Sequence, residues 1–166
     1  MRTATSEASR SPPAPSERSK YPGLMPLEVA VLREWLRLHQ SEFDSFDYNV
    51  RVGVGSDPGP TYSQTMRDMA VSITQKRIDA IGWKSNQATL IEVKKRATLA
   101  AVGQILSYNV LFKQAYPLAP EPQLLLVAST FDADVYPVLN AHKVPWALVA
   151  FDPRFVPMRQ FPTSKR

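Results

Sequence analysis

Arg77-Ile78-Asp79-Ala80 and Ile91-Glu92-Val93-Lys94 are the two stretches whose reading decides the fold. The first belongs to an arm running from Val71 to Trp83, the second to an arm from Ala88 to Lys94. Both arms are rich in β-branched and aromatic residues, and the polar cluster Lys84-Ser85-Asn86-Gln87 between them is a turn signal. A turn centred between Ser85 and Asn86 pairs Ile81 with Leu90 and Asp79 with Glu92. Directly opposed residues of an antiparallel pair have Cβ atoms about 4.5–5.5 Å apart. Side chains alternate faces along a strand, so Glu92 and Lys94 share one and Val93 points away. Asp79, Glu92 and Lys94 are therefore expected to converge. Two opposed carboxylates repel, and the remedies are a raised pKa or a cation between them. A hard divalent ion suits oxygen ligands.

Outward from the hairpin, Met25 to His39 has a broad apolar stripe at helical spacing (Leu27, Val31, Leu32, Trp35, Leu36, Leu38), with Pro26 suited to the first turn. Phe46, Tyr48, Val50, Val52 and Val54 alternate with polar residues as in a half-buried strand. Gly55-Ser56-Asp57-Pro58-Gly59-Pro60 then reads as a turn or mobile loop. After the hairpin, Ala97 to Tyr116 reads as a helix that Thr98 can cap and Pro117 ends. Gln123 to Ser129 is a continuous apolar run of the kind buried on both faces of a sheet. Asp132 to His142 reads as a short helix with Val135, Val138 and Leu139 inward, and Trp146 to Phe151 as a last strand. Such strand-helix-strand units generally make right-handed parallel crossovers.

This arrangement resembles the PD-(D/E)XK nuclease superfamily, whose signature is an Asp on one strand and Glu-X-Lys on the next; the matching residues are Asp79, Glu92 and Lys94. The superfamily core is a helix, three antiparallel strands, a helix and a further strand, and the chain supplies that order between about Pro26 and Ser129. Gln104 and Tyr108, four apart on one side of the second helix, match the Gln-X-X-X-Tyr motif of the RecB-like branch. The resemblance implies an α/β restriction-endonuclease-like core with a mixed central sheet flanked by helices. It implies a Mg²⁺ or Mn²⁺ ion on Asp79 and Glu92, with the Val93 carbonyl as a further oxygen, and Lys94 orienting or deprotonating water or stabilising negative charge. An additional acid often comes from the first helix; Glu28 is preferred by position, with Glu34 the reserve. Catalytic roles thus fall to Asp79, Glu92, Lys94, Gln104 and Tyr108.

Length and charge bound the remainder. At 166 residues, 23–151 reads as a single nuclease-like domain, 1–22 as a disordered tail and 152–166 as an extension in which Phe155, Met158 and Phe161 are free to pack on the body or a partner. The net charge of +5 suits a polyanionic partner. Candidate phosphate contacts are Lys76, Arg77, Lys84, Lys95, Arg96 and Lys113, with Arg77 and Lys95 closest in sequence to the acids. The absence of cysteine excludes disulfides and thiolate metal sites. With no signal-peptide core and no membrane-spanning run, a soluble, cytoplasmic protein is expected. His39 and His142 look incidental, and no Ser/His/Asp, Walker-type or dinucleotide glycine motif is present.

The expected function is metal-dependent hydrolysis of DNA phosphodiesters, structure- or end-directed rather than sequence-specific, as an endonuclease or an exonuclease. RNA is left open as a substrate, and a homo-oligomer as the assembly. Phages and mobile elements carry small stand-alone nucleases of this kind, which is an analogy only. The alternatives are a non-catalytic nucleic-acid-binding or assembly subunit that keeps the fold, and an ion-pair ladder with no chemistry.

Overall fold

In the computed structural model, which describes Pro15 and residues 21–150, Ser85 and Asn86 close a two-residue hairpin between β2 (Lys76–Lys84) and β3 (Gln87–Ala97). Ser85 takes a left-handed φ of 55°, and its N–H donates to the Asp44 carboxylate at 2.5 Å. The turn fixes the register, so Ile81 faces Leu90 and Ala80 faces Ile91.

The five-stranded sheet has the order β1-β2-β3-β4-β5, with β1 (Ser45–Val52), β4 (Gln123–Phe131) and β5 (Trp146–Leu148) completing it. β1 to β3 are antiparallel, while β4 joins β3, and β5 joins β4, in parallel. With its four helices this is the mixed α/β architecture expected. Ala88 to Val93 are all buried, as a strand covered on both faces requires. Alternate residues serve two cores. Ile91, Val93 and Val127 pack under α1 (Pro26–His39) with Val31, Leu32, Trp35 and Leu36. Leu90, Leu126 and Ala128 pack under α3 (Leu99–Ala115), with Ile105 and Phe112, and under α4 (Val135–Ala141), with Val135 and Leu139.

Between β1 and β2 the structure departs from the sequence reading. Residues 71–74, expected to open the first arm of the hairpin, instead end a helix, α2 (Gln64–Thr74). Their β-branched side chains read as strand, but Ser63 starts a helix upstream, its hydroxyl accepting the Met66 N–H at 3.4 Å, and the helix propagates through them. Thr74 is accommodated because its hydroxyl donates back to the Ala70 carbonyl at 2.7 Å. The segment read as a turn or mobile loop is tied to this helix. Gln75 Nε2 donates to the Gly53 carbonyl, the Ser56 N–H donates to Thr74 Oγ1, and Arg67 pairs with Asp57.

Smaller differences concern element ends. β1 stops at Val52 rather than Val54, and β4 runs on to Phe131. Thr98 occupies the N-cap of α3, but its side chain makes no capping hydrogen bond. α4 is shorter than expected, and β5 ends at Leu148. The tail assigned to 1–22 lies outside the described residues apart from Pro15, Tyr21 and Pro22; Phe151 and the 152–166 extension lie outside them entirely. Among the described residues no helix is long and apolar enough to cross a membrane.

Candidate metal and nucleic-acid site

β1 and β2 keep one register throughout, yet the ladder omits the pair Asn49 and Asp79. Asn49 has a left-handed φ of 56°, and on both strands the buried face switches there. Phe46 and Tyr48 pack toward α1, whereas Val50 and Val52 pack toward α3. Ala80 likewise faces α1 and Ile78 faces α3. The β2–β3 ladder stops at the same level, at Ala80 and Ile91. Beyond it the strands part, and the Val93 N–H donates to Asp79 Oδ2 at 2.9 Å. N–H and C=O of one residue face the same neighbour in an antiparallel pair, so the Val93 carbonyl also faces this gap.

The other residues converge on the gap. Glu92 is only 1% exposed, and neither of its oxygens receives a well-directed hydrogen bond, although Lys94 Nζ stands 2.5 Å from Oε1. Lys94 Nζ is also 4.0 Å from Glu28 Oε1 at the start of α1. The other Glu28 oxygen accepts the Met25 N–H at 2.9 Å, which caps the helix and fixes the carboxylate. Glu34, the reserve candidate, lies elsewhere in an exposed pair with Arg37. The structure thus brings together Glu28, Asp79, Glu92 and Lys94, with Val93 between the last two.

The electrostatics follow from burial. Burial pushes the Asp79 carboxyl well above the usual range. For Glu92 burial again dominates and the charge of Asp79 adds to it. Burial alone would lower Lys94, but Glu92, Asp79 and Glu28 outweigh it, and its pKa is raised. Lys94 is therefore an ammonium at neutral pH, suited to holding negative charge rather than to taking a proton.

Tyr108 is almost fully buried, and Gln104 Nε2 approaches its hydroxyl at 3.5 Å. Burial, and then the nearby charges of Glu92 and Asp79, raise the phenol pKa. Gln104 and Tyr108 line an open cleft of about 730 Å³ together with Lys76, Ser107 and Leu111.

The basic candidates divide. Lys76 lines that cleft, and Arg77 lies opposite Arg51 on β1. Lys95 is exposed next to Lys94. Arg96 and Lys113 are held in ion pairs with Asp132 and Glu121. Lys84 adjoins the hairpin turn, five residues and roughly 16 Å along β2 from Asp79. Sequence reasoning missed Asn49 and Arg51, because their importance depends on which β2 residues they face.

No known family's sequence profile matches the chain, and no curated protein matches it. Among solved structures, an EndoMS–dsDNA2 complex is similar to it, with a TM-score of 0.46 and 17% identity over 82% of this chain. The chain spans 50% of the length of that one.

Two buried or half-buried carboxylates, a backbone carbonyl and Glu28 offer hard oxygen, and apart from the Lys94 ion pair the Glu92 oxygens have no hydrogen-bond partner. Among the described residues no group of three or more Asp, Glu or His side chains is placed to hold a metal ion, so side chains alone would supply at most two ligands here. An ion held here would keep water on several positions, as Mg²⁺ commonly does.

Proposed function

We propose that the protein is a Mg²⁺- or Mn²⁺-dependent nuclease acting on DNA phosphodiesters, of the RecB-like kind that its Gln104 and Tyr108 resemble. The observation that carries this reading is the buried Glu92 carboxylate, which lacks hydrogen-bond donors of good geometry and faces Asp79 where the strands part. A folded chain retains such an arrangement at a cost in stability. That cost is offset if the carboxylates bind a cation.

In this reading Asp79, Glu92 and the Val93 carbonyl would hold the ion, with Glu28 a further acceptor at the rim of the site. The ion, when bound, acidifies water and withdraws electron density from the phosphoryl oxygens. Lys94 stands beside Glu92 as a fixed positive charge, placed to stabilise charge that grows on the phosphoryl group. Gln104 and the protonated Tyr108 hydroxyl donate hydrogen bonds into the cleft and orient the strand. The net positive charge, the exposed Lys76 and the half-buried Arg77 favour a polyanion.

The test is cleavage of labelled linear duplex, single-stranded and circular DNA with Mg²⁺, Mn²⁺ or EDTA, comparing the wild type with Asp79→Ala and Lys94→Ala. Metal-dependent cutting lost in both variants supports the reading, and survival of the circles marks an exonuclease. Binding of DNA without cutting, equal in wild type and variants, replaces it with a non-catalytic binding subunit.

A further inference from the structure

Arg51 on β1 lies directly opposite Arg77 on β2. Like charges in that relation are about 4.5–5.5 Å apart at Cβ and destabilise the sheet. Nothing nearby relieves the repulsion, since neither guanidinium enters an ion pair or side-chain hydrogen bond among the described residues. Val50, Val52 and Ile78 beside them point into the α3 core. Strand alternation therefore projects both arginines from the opposite face, where Arg51 is exposed and Arg77 half-buried. Arg77 precedes Asp79 by two residues, roughly 7 Å along the strand.

Two adjacent guanidiniums without acids are a binding site for an anion. Each is a planar fork that matches phosphate oxygens in bidentate fashion, and an anion between them turns their repulsion into shared attraction. We infer that Arg51 and Arg77 form a clamp for one phosphate of a nucleic-acid strand, a neighbour of the phosphate presented to Asp79 and Glu92. The identity of the strand rests on the nuclease reading; the anion chemistry does not. Arg51 gives the clamp its reach from the sheet edge, which β1 forms. The face switch at Asn49 and Asp79 turns this part of the ribbon relative to the remainder of the sheet.

The test measures binding of labelled single-stranded and duplex oligonucleotides in EDTA over a salt series, by fluorescence anisotropy. The proteins are the wild type, Arg51→Gln, Arg77→Gln, the double variant, and Lys143→Gln as a loss of charge on an exposed loop. Each single change is expected to weaken binding on the order of tenfold. The double variant should lower the salt slope on duplex by about 0.9, as the loss of one phosphate contact requires. Lys143→Gln should leave the slope in place. Melting in phosphate-free buffer should be unchanged or higher in the double variant, because the repulsion is gone.

Oligonucleotide binding in the double variant equal to that of Lys143→Gln overturns the clamp, and so does a double variant that melts well below the wild type. A melting rise with inorganic phosphate that needs both arginines, without their effect on oligonucleotides, marks a free-phosphate site and also overturns it. The two readings fail separately. If the wild type never cuts with Mg²⁺ yet the double variant loses oligonucleotide binding, the nuclease reading falls and the clamp stands. If the double variant cuts with an unchanged KM, the clamp falls and the nuclease reading stands.

Discussion

Asp79 Oδ2 accepts the Val93 N–H at 2.9 Å at the level where the β2–β3 ladder ends. A side chain replaces the backbone partner that a continued ladder would have supplied, which leaves the strands apart and keeps the donor satisfied. The same carboxylate faces Glu92 across the gap, so its two functions can be separated by substitution. Asp79→Asn keeps an acceptor for Val93 and removes the charge. Asp79→Ala leaves a buried N–H unpaired, at a cost of about 1–3 kcal/mol. Urea unfolding should therefore rank Asn above Ala by that order, while both abolish metal-dependent cleavage. An Ala variant as stable as the Asn variant would show that the hydrogen bond does not hold the gap open.

A second prediction concerns pH. Burial, joined for Glu92 by the repulsion of Asp79, raises Asp79 to about 6 and Glu92 to about 8. Both carboxyls thus bind protons more tightly folded than unfolded, where they titrate near 3.8 and 4.5. Their contribution is complete below the unfolded values and is lost as pH rises through the folded ones. In EDTA, stability should fall on the order of a few kcal/mol between pH 5 and pH 8. Glu92→Gln should flatten the decline, and saturating Mg²⁺ should counter it by binding the ionised pair. Stability in EDTA that rises over this window would contradict the assignment.

How much of this was legible in the chain depends on distance along it. The hairpin register was readable because Ser85 and Asn86 are a local signal and a two-residue turn leaves one pairing. The expected pairing of Asp79 with Glu92 does not form, because the ladder ends at Ala80 and Ile91 and Asp79 accepts the Val93 N–H instead; the residues still meet, across the gap rather than across the ladder. The choice between Glu28 and Glu34 was not readable, because it depends on how α1 is rotated over β3. Helix α2 was hidden by Val71, Ile73 and Thr74, whose strand propensity was outweighed by a cap eight residues before the first of them. The left-handed Asn49 and the opposition of Arg51 to Arg77 needed the β1–β2 register, set by residues some 26 positions apart in the sequence.

The α2 docking yields a third prediction. Gly55 has a φ of 67°, and a Cβ there would lie 2.4 Å from the Val71 carbonyl oxygen. Neither the conformation nor the backbone contact tolerates a side chain. Gly55→Ala should detach the loop from α2, and since no α2 residue is buried the effect should be local. Hydrogen exchange over residues 64–74 should accelerate, with global stability lowered by no more than about 1–2 kcal/mol. Unchanged protection in α2 would show that the loop does not hold the helix.

Tyr108 provides a fourth. Its hydroxyl lies near Gln104 in a cleft wall, and burial together with Glu92 and Asp79 raises its pKa above the ordinary phenol value. The phenol therefore stays protonated through any physiological pH and acts as a hydrogen-bond donor, not as an acid–base group. Tyr108→Phe keeps the packing against the α3 core and removes only the hydroxyl, so stability should change by about 1 kcal/mol or less. If the hydroxyl orients the strand, cleavage should weaken mainly through KM, by roughly the five- to tenfold that one lost hydrogen bond represents. The shape of the pH–rate profile should be unchanged. A basic limb present in the wild type and absent from Tyr108→Phe would instead assign the phenol a proton-transfer role and reverse this account of the cleft.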